Sequence, residues 1–206
     1  PDIAVNTDGQ IAWAIRKNSP LLKAKLDAFA NDHKIGTTFG NILKNRYYKS
    51  DKMVRRAYSP AEMEKFNTLV DIFRKHAGEY SFDYLMVIAQ GYQESQLDQS
   101  RRSPRGAVGI MQLLPATAAD KAVGIKDISS ADRNVEAGNR YLRYLIDSYI
   151  ADPSLPPREQ LLFAFAAYNA GPGNLRKFRA KATEMGLDPN RWFGNVENGA
   201  AAIVGR

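Results

Sequence analysis

The sequence predicts an all-α domain over residues 59–206, preceded by a shorter piece of mixed α and β character. Three observations carry this. From Ser59 onward, apolar residues recur at helical spacing. The periodic runs open on Ser, Asp or Pro start signals, and several stop at a Gly. No run with the alternation or β-branched content of a strand follows residue 58. The 206 residues, 44% hydrophobic and 25% charged, are ordinary globular usage and suit one domain, or one domain plus a fragment.

In the front piece, Gln10-Ile-Ala-Trp-Ala-Ile15 has the apolar and aromatic content of a short strand. Asn18-Ser19-Pro20 then starts a helix, with Ser19 as cap and Pro20 at the first position. Leu22, Leu26, Phe29 and Ala30 share one face of it. Gly36 separates this helix from a short segment, Phe39–Leu43. One strand and two helices cannot enclose a core, so these residues are expected to be part of a larger domain. The start at Pro1, with no charged-then-apolar leader, suggests a processed or excised piece.

Ser59-Pro-Ala-Glu62 is a capping box and marks the boundary. Met63, Phe66, Val70 and Phe73 form the apolar face of the helix it opens. Ser81 is expected to cap the next helix, with Phe82, Leu85, Ile88 and Tyr92 facing inward. Asp98–Ala107 reads as a loop. Pro115 opens a short helix that stops at Gly124. Ser130 or Asp132 opens a longer one, with Val135, Gly138, Leu142, Leu145 and Tyr149 on one face. Pro156-Pro157 opens the next, and residues 160–170 are apolar nearly all round, which predicts a central, buried helix. Asn174–Met185 and Val196–Val204 complete the set.

The net charge of +7 is unevenly spread: residues 1–57 carry +6 and residues 58–206 only +1. The basic run Lys44–Arg56 reads as a solvated linker, and no nucleic-acid partner is expected, because the rest of the chain has no basic stripe. The absence of Cys excludes disulfides, zinc ribbons and a thiol nucleophile. The two His, His33 and His76, lack the neighbours of a zinc site, so no metal and no cofactor are expected. No apolar run is long enough to span a membrane.

Three stretches point to chemistry. Glu94 follows Ile88, Ala89 and Tyr92, at the end of an apolar helix. A carboxyl placed there loses solvation, its pKa rises, and it can serve as a general acid near neutral pH. Gly106-Ala-Val-Gly109-Ile-Met111-Gln112 combines two glycines, which permit close approach of a ligand, with an amide that can both donate and accept. Ala167-Tyr168-Asn169-Ala170-Gly171-Pro172-Gly173 ends the buried helix. The Gly and Pro are stop signals. Tyr168 and Asn169 are not required by that role, and a ring beside an amide suits a sugar, which has an apolar face and hydroxyl edges. No second carboxylate is a strong partner for Glu94. Asp98 lies four residues on but reads as a loop or cap residue, and Ser95 as a structural residue closing the helix end.

Taken in order and spacing, these three motifs resemble the soluble lytic transglycosylase family over about residues 60–205, and Asn134-x-x-x-Gly138-x-x-Tyr141-Leu142 is similar to that family's intervening helix. The resemblance implies an all-α, lysozyme-like (goose-type) fold for residues 59–206. It also implies cleavage of the β-1,4 bond between N-acetylmuramic acid and N-acetylglucosamine in peptidoglycan glycan strands, without water, leaving a 1,6-anhydro sugar. Glu94 matches the catalytic acid and Ser103 the Ser that bonds glycan or acid. Gly109, Met111 and Gln112 would line the cleft beside Glu94, with Tyr168 and Asn169 as its opposite wall. The family has a further Tyr downstream that supports the acid; no Tyr follows Tyr168 here, so either the natural chain is longer or Tyr168 serves.

Residues 1–48 resemble the C-terminal end of a type 3 periplasmic solute-binding domain, with residues 49–58 as a basic linker. That implies a solute or muropeptide as ligand of the front domain, and the transglycosylase resemblance implies a periplasmic location at the inner face of the outer membrane. Two other readings stay open: a peptidoglycan-binding module with little turnover, and a hydrolase like goose-type lysozyme.

Overall fold

The computed structural model describes residues 15–34, 37, 59–150 and 152–204. The chain divides into two compact units, Pro1–Glu62 and Met63–Arg206. The strand expected at Gln10–Ile15 falls almost entirely outside the described residues; Phe39–Leu43 and the basic run 44–56 fall wholly outside. In the first unit, helix α1 (Pro20–His33) starts at the expected proline. Ser19 makes no side-chain cap bond, since its φ of −127° and ψ of 62° fall off the usual cap geometry. The face of Leu22, Leu26, Phe29 and Ala30 buries none of its residues.

The second unit is helical, and among its described residues there is no strand, only isolated bridges from Val108 to Arg102 and to Leu113. Helix α2 (Pro60–Gly78) opens as the capping box predicts, with the Glu62 amide donating to Ser59 Oγ at 3.3 Å. Its buried residues are Leu69, Phe73, His76 and Ala77; of the expected face Phe73 is buried, Phe66 and Val70 pack against the core, and Met63 lies exposed. Helix α3 (Tyr84–Ser95) departs further. Asp83, not Ser81, caps it, accepting from the Leu85 amide at 2.9 Å. Its buried positions are Val87, Ile88, Gln90, Gly91 and Ser95, while Leu85 is 51% exposed. Of the expected face, Ile88 is buried and Phe82 and Tyr92 pack against the core, so Leu85 is the member that turns away from it.

The Pro115 helix is shorter than expected: α4 covers Pro115–Ala119, and a turn then carries the chain to Gly124, whose amide donates to Asp120 O at 2.7 Å. Helix α5 (Ala131–Leu145) is capped by Ser130, which accepts from the Arg133 amide at 3.3 Å. It is buried all round from Asn134 to Asn139, not on one face. A wider π turn follows at Ile146–Ile150 and leaves Tyr149 exposed. Helix α6 (Pro157–Ala170) is central as predicted, with only Asn169 exposed between Leu161 and Ala170. Helices α7 (Pro172–Glu184) and α8 (Glu197–Val204) pack against each other, joined through an irregular turn at Trp192–Val196.

The core of the second unit forms two clusters on opposite sides of α5. The larger gathers Phe73, Val87, Ile110, Leu142, Phe163 and Phe178; the smaller gathers Leu113, Val123, Ile125, Ile128 and Ala137. Tyr141 and Tyr168 pack against both. Among the described residues, no helix is long and apolar enough to cross a membrane.

Candidate active site

Helix α3 ends abruptly, and that end places Glu94. Gln96 and Leu97 both take positive φ, at 61° and 59°. Neither is Gly, so this conformation is costly and must be held by its surroundings. Leu97 supplies one anchor, being 6% exposed within the main core. Ser95 supplies the other: its hydroxyl donates to Ile110 O at 2.9 Å and accepts from the Asp98 amide at 3.1 Å. The reading of Ser95 as a structural residue fits this geometry.

Glu94 is thus carried on the last turn, half-buried, and burial raises its carboxyl above the usual glutamate range. Desolvation disfavours the carboxylate, so Glu94 keeps its proton to a higher pH than a solvated glutamate does. Gln90, one turn earlier and 6% exposed, donates from Nε2 to Glu94 Oε1 at 2.8 Å. Asp98 does not share this site. It lies beyond the helix end, exposed, with Oδ1 accepting from the Ser100 amide at 2.8 Å and the Ser100 hydroxyl at 2.6 Å. The Ser100 hydroxyl and amide hold the Asp98 carboxyl low.

The loop 101–113 folds back against α3 and α5. Gly109 adopts φ +77°, and a Cβ there would sit 2.6 Å from Asn134 Nδ2 and 2.7 Å from Gln99 Nε2. Only Gly satisfies both the backbone and the close approach. Asn134, wholly buried on α5, pins this loop: its Oδ1 accepts from the Met111 amide at 2.7 Å, and its Nδ2 donates to Val108 O at 2.9 Å. Gln99 adds a bond from Nε2 to Ile128 O at 3.0 Å. The Asn134-x-x-x-Gly138 spacing also gains a reason, since a Cβ on Gly138 would meet Met111 Cγ at 2.7 Å.

Met111 differs from expectation. Its side chain is 0% exposed and packs on α5 within the core, so it offers the cleft only its backbone. That backbone is what Tyr168 uses: the Tyr168 hydroxyl donates to Met111 O at 2.6 Å across 57 positions of sequence. Burial first, then the charge of Glu94, pushes the Tyr168 phenol well above its ordinary value, so it stays a protonated donor at neutral pH. Tyr168 and Glu94 therefore share one electrostatic environment.

The remaining expected residues are placed as follows. Ser103 Oγ accepts from the Ala107 amide at 3.0 Å and closes the loop. Gln112, at φ 45°, donates from Nε2 to Gly109 O at 2.9 Å, leaving its side-chain oxygen to accept. Asn169 is exposed at the end of α6 with its amide donating back to Phe165 O at 2.9 Å, so it does not converge on Met111 as Tyr168 does. Beside Tyr168, Tyr141 packs edge-on with ring centroids 5.2 Å apart. Tyr141 also lines a groove of about 340 Å³ with Thr117, Asp120 and Tyr144.

A separate ionic cluster lies between α2 and α5. His76, Asp132 and Glu136 bring donor atoms within 4.8 Å of one another. Arg133 and Arg140 bond Glu136 at 2.8 and 2.7 Å, and Lys75 lies 3.3 Å from Asp132, so the cluster already carries its own cations. His76 Nε2 lies 3.0 Å from Asp132 Oδ1 and is first among the causes that hold that carboxyl low. Sequence spacing gave no sign of this grouping, because His76 lies 56 positions ahead of Asp132.

The Transglycosylase SLT domain family model matches residues 71–189. Similar curated proteins carry the name membrane-bound lytic murein transglycosylase F. That of Desulfosudis oleivorans is 35% identical over 205 residues, covering 93% of this chain and 43% of the relative. That of Shewanella woodyi is 31% identical over 187 residues, covering 88% and 38%. That of Aliivibrio fischeri is 29% identical over 207 residues, covering 96% and 40%. The chain thus spans about two-fifths of the length of these relatives.

Proposed function

Because this chain belongs to the transglycosylase SLT domain family, we propose that it is a peptidoglycan lytic transglycosylase with Glu94 as its single acid and base. The observation that carries the proposal is one partly buried carboxyl with a raised pKa, whose charge reaches the Tyr168 phenol, while Asp98, four residues on, is turned to Ser100. Glu94 protonates the glycosidic oxygen as the bond from it to the muramic acid C1 breaks. The muramic acid O6 then closes on C1 and returns its proton to Glu94. The nucleophile belongs to the substrate, so the second carboxylate that a hydrolase needs to activate water or attack the sugar is not required.

Tyr168 holds the loop carbonyl of Met111 and sets the wall facing Glu94. Ser103, Gly109 and Gln112 form the loop side of the cleft, and Asn169 its outer edge. The names of the relatives support a place of action at the periplasmic side of the cell envelope; anchoring at the outer membrane is part of the proposal and rests on the family resemblance alone. Similarity across 93% of the chain extends ahead of the matched domain; the assignment of residues 1–48 to the end of a solute-binding-like domain is part of the proposal and rests on their sequence.

The test is mass analysis of the products released from purified peptidoglycan. The expected product carries 1,6-anhydromuramic acid ends. Reducing-end muramic acid as the main product would replace this reading with hydrolysis, and binding without products would replace it with a glycan-binding module.

Two substitutions give further expected results. Tyr168→Phe removes the bond to Met111 O while keeping the ring, so turnover falls roughly tenfold to a hundredfold, the scale of a lost buried polar contact. Thermal melting should shift only slightly; a collapse of the fold would assign Tyr168 a purely structural role. Asp98→Asn should leave kcat near that of the parent chain, since its carboxyl is committed to Ser100. A large loss in that variant would mark a two-carboxylate mechanism.

A further inference from the structure

Gln90 is polar, buried and one helical turn before Glu94, and no motif in the sequence singles it out. A Gln facing the interior at 6% exposure needs a partner, and the carboxyl of Glu94 at 2.8 Å is that partner. An amide differs from a backbone N–H in one respect that matters here: it carries a donor and an acceptor on the same carbon. Rotation about its last bond exchanges them at the same place.

We propose that Gln90 is the positioning residue for Glu94, its amide donating through Nε2 to the carboxylate and, after rotation, accepting through Oε1 from the carboxylic acid. This rests on the reading of Glu94 as an acid that becomes a base. Such a group must keep one position through a change of protonation, and a fixed N–H can bond only the oxygen that lacks the proton, whereas an amide can pair with a carboxylate oxygen or, turned, with the acid O–H. Gln90 keeps a bond in both states.

The other groups around Glu94 do not take this role. Tyr168 of α6 senses its charge, but the Tyr168 hydroxyl is committed to Met111 O at 2.6 Å. Lys65 of α2 reaches Gln96 O at 3.5 Å and, with Arg101, acts on Asp98. Asp98 is turned to Ser100.

The experiment is a titration of the Glu94 side-chain carboxyl by carbon NMR in the full chain, assigned by comparison with Glu94→Gln. It is paired with kinetics on purified peptidoglycan. Gln90→Met keeps the length and apolar volume and removes both polar atoms. A bond to the charged carboxylate is stronger than one to the neutral acid. Its loss should therefore raise the Glu94 pKa by about half to one unit. The limb of the pH–rate profile that falls as Glu94 ionises should move up with it, and kcat should drop roughly tenfold with KM held. Gln90→Glu sets a like charge beside Glu94 and should raise the titration further.

An unmoved Glu94 titration in Gln90→Met overturns the proposal. A fall in activity that only tracks a lower melting temperature, with the titration unmoved, assigns Gln90 to packing and overturns it too. An inactive parent chain defeats the transglycosylase reading instead, and the titration still decides whether Gln90 governs Glu94.

Discussion

Replacing Glu94 with Gln should lower the release of anhydro products by about 10²-fold or more, the scale of general acid catalysis. Gln keeps the size and removes the proton that must pass to the glycosidic oxygen. The variant should also be at least as stable as the parent chain at neutral pH. Burial raises the folded-state pKa of Glu94 above its unfolded value. The stability this group contributes is therefore full below the unfolded pKa and is lost as pH rises through the folded one. Above that window the parent chain holds an ionised carboxyl in a desolvated place, and the Gln variant does not. Melting temperatures measured across pH should show an advantage for Glu94→Gln at neutral pH that closes in acid. Wild-type product yield from the variant would remove Glu94 from the chemistry. A lower melting temperature at neutral pH would mean that the carboxylate is stabilised by bonds stronger than its desolvation.

The second large effect is expected at Asn134. Its side chain is wholly buried and satisfies both the Met111 amide and the Val108 carbonyl. Asn134→Ala strands both, and each unpaired buried group costs about 1–3 kcal/mol. The expected loss is roughly 2–5 kcal/mol by denaturant unfolding, near the upper end for a single substitution. Activity should fall with it at temperatures where the chain is still folded, because the Met111 carbonyl that Tyr168 grips sits on the released loop. An Ala variant with parent-like stability would mean that the loop is held by Gln99 and Gly109 without Asn134.

Much of the second unit was legible locally. Ser59, Ser130, Pro115 and Pro157 start helices where expected because a cap or a fixed φ acts within one turn. The apolar run of α6 predicted its central place, and the end of the α3 run at Glu94 predicted the direction of its pKa shift. The caps of α1 and α3 were misread for the same local reason. Ser19 and Ser81 have the right chemistry, but the backbone of Ser19 is off the cap geometry and Ser81 sits at φ 56°, while Asp83 takes the role.

What the sequence determined by itself is the order of the helices, most of their ends, and the acid with the two motifs that follow it. These depend on contacts within a few residues, and such contacts are written in the spacing. What only the tertiary structure decided is which way each side chain turns and what it meets. Met111 became core because Gly138 leaves room for it, and Tyr168 found its carbonyl 57 positions away. Asn134 became the pin of the loop, and Gln90, one turn before Glu94, was buried beside it by the packing of α3. A helical pattern repeats every 3.6 residues and so fixes which side chains share a face, but packing against the other helices sets which face turns inward.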